Sequence, residues 1–175
     1  MSRPSPSVWT ETLASFCNHL AASEPAPAGV AAAAVTGRLG LSLLIKVLEI
    51  RGLQKELREA AQRESQILAE AADEDIQAVQ QLLKTRHAQP AIEIPLRAAR
   101  AAVAGLELCA RASESVRGLI AADIGAAAAL LAGSARAILL CVEANLKRAS
   151  SEKLSTECRQ LGEKTEALAH RISAA

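Results

Sequence analysis

Apolar residues recur along this chain at three- and four-residue spacing, and no alternating run marks a strand, so the pattern predicts six helical segments. The first spans about Val8 to Ala22 and stops at Ser23-Glu24-Pro25-Ala26-Pro27, where the prolines forbid continuation. The second, about Ala28 to Arg51, is apolar on most sides, as a central helix would be, and Gly52 separates it from the third. The third, about Leu53 to His87, sets Leu57, Ala61, Leu68, Ala72, Val79 and Leu82 on one face, with Glu59, Arg63, Glu70, Asp73 and Gln77 turned away. Pro90 and Pro95 mark the passage to a fourth, about Ile94 to Ser115, and a Ser/Gly link leads to an Ala-rich fifth, about Leu119 to Ala149. A last segment, about Ser151 to Ile172, is charged on most faces and predicts an outer helix. Long helices with short connections imply an all-α bundle or array of five to six helices, one domain over residues 1–175 with its core at 9–149 and an outer helix at 151–173.

Composition narrows the picture. Half of the residues are hydrophobic, yet the aromatics are one Trp and one Phe, and the rest is chiefly Ala and Leu, the best helix formers. A net charge of +1 argues against nucleic acid or an anionic membrane surface as the main partner. Two stretches, Ala28 to Ile50 and Leu119 to Val142, approach membrane-span length, but Arg38, Lys46 and Glu49 interrupt the first and Asp123 and Arg136 the second, so core helices are expected. Cys17, Cys109, Cys141 and Cys158 are scattered, without zinc spacing or a disulfide framework; reduced thiols in a cytoplasmic protein, with no metal, are the expectation. The N-terminus lacks the apolar core of a signal peptide.

Candidate chemistry lies where polar residues occupy apolar positions. On the third helix Asp75 falls in the middle of the apolar face, where a carboxylate must be paired, hydrogen-bonded or protonated. A structural hydrogen bond to a neighbouring helix end and a functional acid are both open. On the fifth, Asp123, Ser134, Cys141 and Asn145 form a polar seam, although Asp123 also suits the positive end of a helix dipole. Arg38, Ser42, Lys46 and Glu49 line one side of the second helix, either pairing along it or forming a cationic wall for an anionic ligand. His19, His87 and His170 are expected at the surface. No phosphate loop, GxSxG or HExxH is present.

From about Phe16 to Lys147 the chain resembles the cyclodeaminase / methenyltetrahydrofolate cyclohydrolase family. Its FCNHLAASEPAPAGVAAAAVTGRLG stands where that family has FLDxLAS, SPxPGGGS and a long apolar helix. Asp75-Ile76-Gln77-Ala78-Val79 is similar to DxxAF, Ile94-Pro95-Leu96 to VPL, Ala122 to Ala127 to SDxGVA, and Leu140 to Asn145 to LNVxxN. The turn PGGGS is here Pro27-Ala28-Gly29-Val30-Ala31; Cys141 replaces an Asn, Ala122 a Ser and Val79 a Phe.

The resemblance implies a homodimer acting on a bridged or formimino tetrahydrofolate, with the folate as substrate and no cofactor. A base must activate the nucleophile against an amidinium-like carbon, and an acid must serve the departing nitrogen. Asp123 and Asp75 are the expected catalytic carboxylates; Asn145, Cys141, Pro27 and Gly29 are expected around the substrate, and Arg38 and Lys46 on its glutamate tail. The alternative is a divergent member without folate turnover, serving as a helical binding or assembly module or as an enzyme for another small ligand.

Overall fold

The computed structural model describes residues 7–50, 52, 55–85, 89–149 and 151–173, and among these the only regular structure is helical. A single 3-10 turn, Val8–Thr10, precedes α1 (Leu13–Ala21), α2 (Gly29–Ile50), α3 (Lys55–Thr85), α4 (Pro90–Ser113), α5 (Ala121–Ala149) and α6 (Glu152–Ser173). His87, at the predicted end of the third helix, lies outside the described residues.

Two boundaries depart from the sequence pattern for identifiable reasons. The predicted first helix is split because Thr12 adopts extended backbone angles and its side chain accepts from the Ser15 N–H, restarting the helix there. The fourth helix begins at Pro90 rather than Ile94, since a proline is preorganised for the first helical position, where its missing N–H is not needed. Pro95 then lies inside α4 and cannot donate to the carbonyl of Ala91. The amide of Asn145 supplies the missing bond at 2.8 Å, tying the start of α4 to the end of α5.

The centre of the bundle is the antiparallel pair α2 and α5. Gly37 and Gly40 permit their approach: a Cβ on Gly40 would lie 2.9 Å from the Ala127 carbonyl, and one on Gly37 2.6 Å from Ser134 Oγ. Ser134 Oγ, fully enclosed, donates to the Ala33 carbonyl at 2.7 Å, so this part of the polar seam is structural. α3 and α4 cover the pair from one side, and α6 lies across α4 and α5 with only Cys158 and Thr165 buried, as its charge pattern predicts. Leu41, Leu44, Leu68, Leu96, Leu106, Leu131 and Ile138 fill the core.

By length and composition α2 and the Ala121–Lys147 stretch of α5 could each span a membrane; half of each apolar window is buried within the bundle. Asp73, read as facing away, instead holds the N-terminal turn: its carboxylate accepts from Ser7 Oγ at 2.6 Å and from the Val8 N–H at 2.9 Å. Trp9 Nε1 donates to the Ala69 carbonyl beside them.

Candidate functional site

Asp75 occupies the inner face of α3, as the helical projection predicts, and is 3% exposed. Among the described residues no donor reaches its carboxyl group, so the hydrogen bond to a helix end that a purely structural acid would make is absent. Burial alone pushes its pKa up to about 6. An acid tuned this way exchanges its proton near neutrality, the range that general acid–base chemistry needs.

The neighbours of Asp75 come from two other helices. Burial, and after it the negative charge of Asp75, raise the pKa of the half-buried Cys141 thiol on α5. At the first residue of α2, a Cβ on Gly29 would lie 3.2 Å from Cys141 Sγ, so glycine keeps this corner open. Val30 and Ala31, which stand where the resembled family has glycine and serine, are buried in the core and leave this corner to Gly29. Asn145, one turn beyond Cys141, is committed to the Ala91 carbonyl.

The other candidates lie elsewhere. Lys46 Nζ meets Asp123 Oδ2 at 2.9 Å near the opposite ends of α2 and α5. At about 1.5 Å per residue, Asp123 and Cys141 are about 27 Å apart along α5. The seam read from the sequence is therefore one helix face carrying two separated groups. Arg38 lies 4.1 Å above the Trp9 ring, and Glu49 pairs with Arg58 on α3, so the charges of α2 pair across helices and not along one. A cationic wall is not assembled within one chain.

One cavity is lined by Ile76, the residue after Asp75, and not by Asp75 itself. It measures about 210 Å³ and lies between α1, the turn before α2 and α3, bounded by Glu11, His19, Glu24, Pro27, Ile76 and Gln80. Pro27 and Ile76 connect it in sequence to Gly29 and Asp75. A larger groove of about 440 Å³ between α5 and α6 is floored by Gly125, Ala128, Ala129 and Ala132, with its main charges neutralised in the Arg136–Glu166 pair. Glu11 was not singled out from the sequence; its spacing to Ser15 and His19 within the predicted first segment was the signal, although in the structure Glu11 precedes α1 and reaches these residues from outside the helix. Among the described residues no cluster of His, Cys, Asp and Glu could hold a metal ion.

Comparison with known proteins agrees with this architecture. The formiminotetrahydrofolate cyclodeaminase of Thermotoga maritima superposes with a TM-score of 0.87 at 20% sequence identity, over 95% of this chain and 96% of that one. No curated protein matches the chain. The family model for formiminotransferase-cyclodeaminase matches residues 12–164, from the capping threonine of α1 well into α6, and the chain belongs to that family.

Proposed function

We propose that this protein acts on a one-carbon tetrahydrofolate, making or breaking a C–N bond at the carbon between N5 and N10, as a formiminotetrahydrofolate cyclodeaminase or a methenyltetrahydrofolate cyclohydrolase. The observation that carries the reading is Asp75: a buried carboxyl group that no donor among the described residues reaches, its pKa raised to about 6, with Cys141 linking it to an open glycine corner. Such a group costs stability and is retained where protons are moved. In its ionised form it takes the nucleophile's proton, and its charge favours the cationic one-carbon centre. Family membership supplies the substrate class.

Asp123 and Lys46 enter the same reading through dimerisation. Leu39 and Ile50 on α2 and Leu140 on α5 expose large apolar side chains, as does Leu119 just before α5. A homodimer packed on this face would bring the Lys46–Asp123 end of one chain toward the Gly29–Cys141 end of its partner, building the site between subunits. No cofactor is required, the folate itself being the substrate, and neither nucleic acid nor membrane is a partner in this reading. The four cysteines are free thiols, which suits the reducing cytoplasm.

One observation favours the second reading, a member without folate turnover. The cavity of about 210 Å³ falls below the range of about 300–1,000 Å³ usual for drug-sized ligands, so a single chain encloses only part of a folate. The two are separated by following the loss of 5,10-methenyltetrahydrofolate absorbance and the release of ammonia from 5-formiminotetrahydrofolate, with Asp75→Asn and Asp123→Asn alongside. Turnover abolished by Asp75→Asn supports the enzyme; a dimeric wild type that neither binds nor turns over either folate leaves the binding module.

A further inference from the structure

The cavity lined by Pro27 and Ile76 contains a proton-bearing assembly that neither the family resemblance nor the reading of Asp75 uses. Glu11, just before the cap of α1, is 11% exposed in its side chain, and its Oε2 accepts from Ser15 Oγ at 2.9 Å and lies 2.8 Å from His19 Nδ1. Nδ1 is thus the protonated nitrogen, and the carboxylate fixes the orientation of the ring and leaves Nε2 as its other proton-exchanging atom. The His19 side chain is 54% exposed and lines the cavity with Gln80 and Glu24, across from Pro27 and Ile76. A histidine held by a carboxylate at the wall of a cavity has the arrangement that orients imidazole for proton transfer.

We propose that His19, positioned by Glu11, is the group that protonates the nitrogen leaving the one-carbon unit. The inference rests on the folate reading above and deepens it. In the cyclodeaminase reaction N10 attacks the carbon of the protonated formimino group (–CH=NH2+), forming the new C–N bond as the C=N π pair moves onto the amino nitrogen, and the N10 proton passes to a base in the site. The bond from that carbon to the amino nitrogen then breaks, its electron pair leaving with nitrogen, which takes a proton from His19 Nε2 and departs as ammonia. The base then hands the N10 proton on to His19, restoring both groups, so that the amidinium and N10–H give the methenyl cation and ammonia with no further reactant consumed. In this scheme Asp75, the buried carboxyl of the folate reading, accepts the N10 proton, and His19, at the wall of the cavity, donates to the group that leaves.

The test is steady-state ammonia release from 5-formiminotetrahydrofolate by the full chain carrying His19→Gln, His19→Ala or Glu11→Gln, with His170→Gln as a distant control. General acid catalysis typically contributes about 10²–10⁴-fold, so His19→Gln is expected to lower kcat at least about a hundredfold with KM within about threefold. Added imidazole should restore part of the His19→Ala rate and nothing in His19→Gln, whose cavity stays filled. Glu11→Gln should lower kcat less than His19→Gln, since a carboxamide still accepts from Nδ1. Binding of 5-formyltetrahydrofolate, which does not turn over, is measured in parallel. Variants that bind it and keep wild-type kcat overturn the role of His19 and leave the folate reading intact. Loss of rate through KM alone, without imidazole rescue, reduces His19 to a structural contact and also overturns it. A wild type that neither binds nor turns over folate removes both proposals together.

Discussion

Asp75→Asn should make this protein more stable at neutral pH than in acid, relative to wild type, and less active. The folded state holds the Asp75 carboxyl at a pKa of about 6, against 3.8 for an ordinary aspartate, because it is buried. A carboxyl whose folded pKa lies above its unfolded value binds its proton more tightly when folded. As pH rises through 3.8 the unfolded chain ionises first, and above about 6 the full penalty of a buried charge is present. The rise corresponds to about 3 kcal/mol at neutral pH and vanishes below both values. An asparagine is isosteric and uncharged, so it removes this cost but leaves a buried amide with its own unmet hydrogen bonds, worth about 1–3 kcal/mol. The amide term acts at every pH and the charge term only above the acid range. Urea unfolding at pH 7.5 and 4.0 isolates the latter: relative to wild type, the variant should gain about 2–3 kcal/mol between the two pH values. A gain that does not grow with pH would mean that the carboxylate is satisfied in the folded state, and would remove the main support for Asp75 as a proton carrier. Ammonia release by the same variant should fall by about 10²-fold or more.

Other perturbations test the frame around the site. Gly40→Ala should destabilise by about 1–3 kcal/mol despite alanine's better helix propensity, because its Cβ would meet the Ala127 carbonyl at 2.9 Å; thermal unfolding reads this directly. Ser134→Ala relieves no strain and loses the enclosed bond to the Ala33 carbonyl, so a cost of about 1–2 kcal/mol is expected in the same assay. A double-mutant cycle on Lys46 and Asp123 should give a coupling of at most about 1 kcal/mol in the monomer, because both side chains are partly exposed. A larger coupling that appears only at dimer-forming concentration would support a site shared between subunits. Asn145→Leu should cost about 1–3 kcal/mol by orphaning the Ala91 carbonyl, and should lower the denaturant midpoint without a folate present.

The helical character of the chain, the order of its elements and the burial of Asp75 were legible in the sequence because each depends on local propensity or on a period of 3.6 residues. Element ends were less so: the break at Thr12 and the start at Pro90 turn on capping and on proline chemistry, which act at single residues. That Asn145 ties two helices together could not be read from the chain, since its partner is the carbonyl that Pro95 leaves without its helical N–H, 54 residues away. The polar seam of α5 was visible as a face, but a helical projection discards the coordinate along the axis. It therefore could not show that Asp123 and Cys141 belong to opposite ends of the helix. Pairings of charge were likewise undetermined: Arg38 with Trp9, Lys46 with Asp123 and Glu49 with Arg58 all join different elements. The sequence by itself determined the helices and most of their buried faces, although it set Asp73 on an outward one and gave Val79 and Leu82 more burial than they have. Only the tertiary packing of α1, α2, α3 and α5 decided which of them meet, because distance across a bundle is set by helix crossings and close glycine contacts that no single helix encodes.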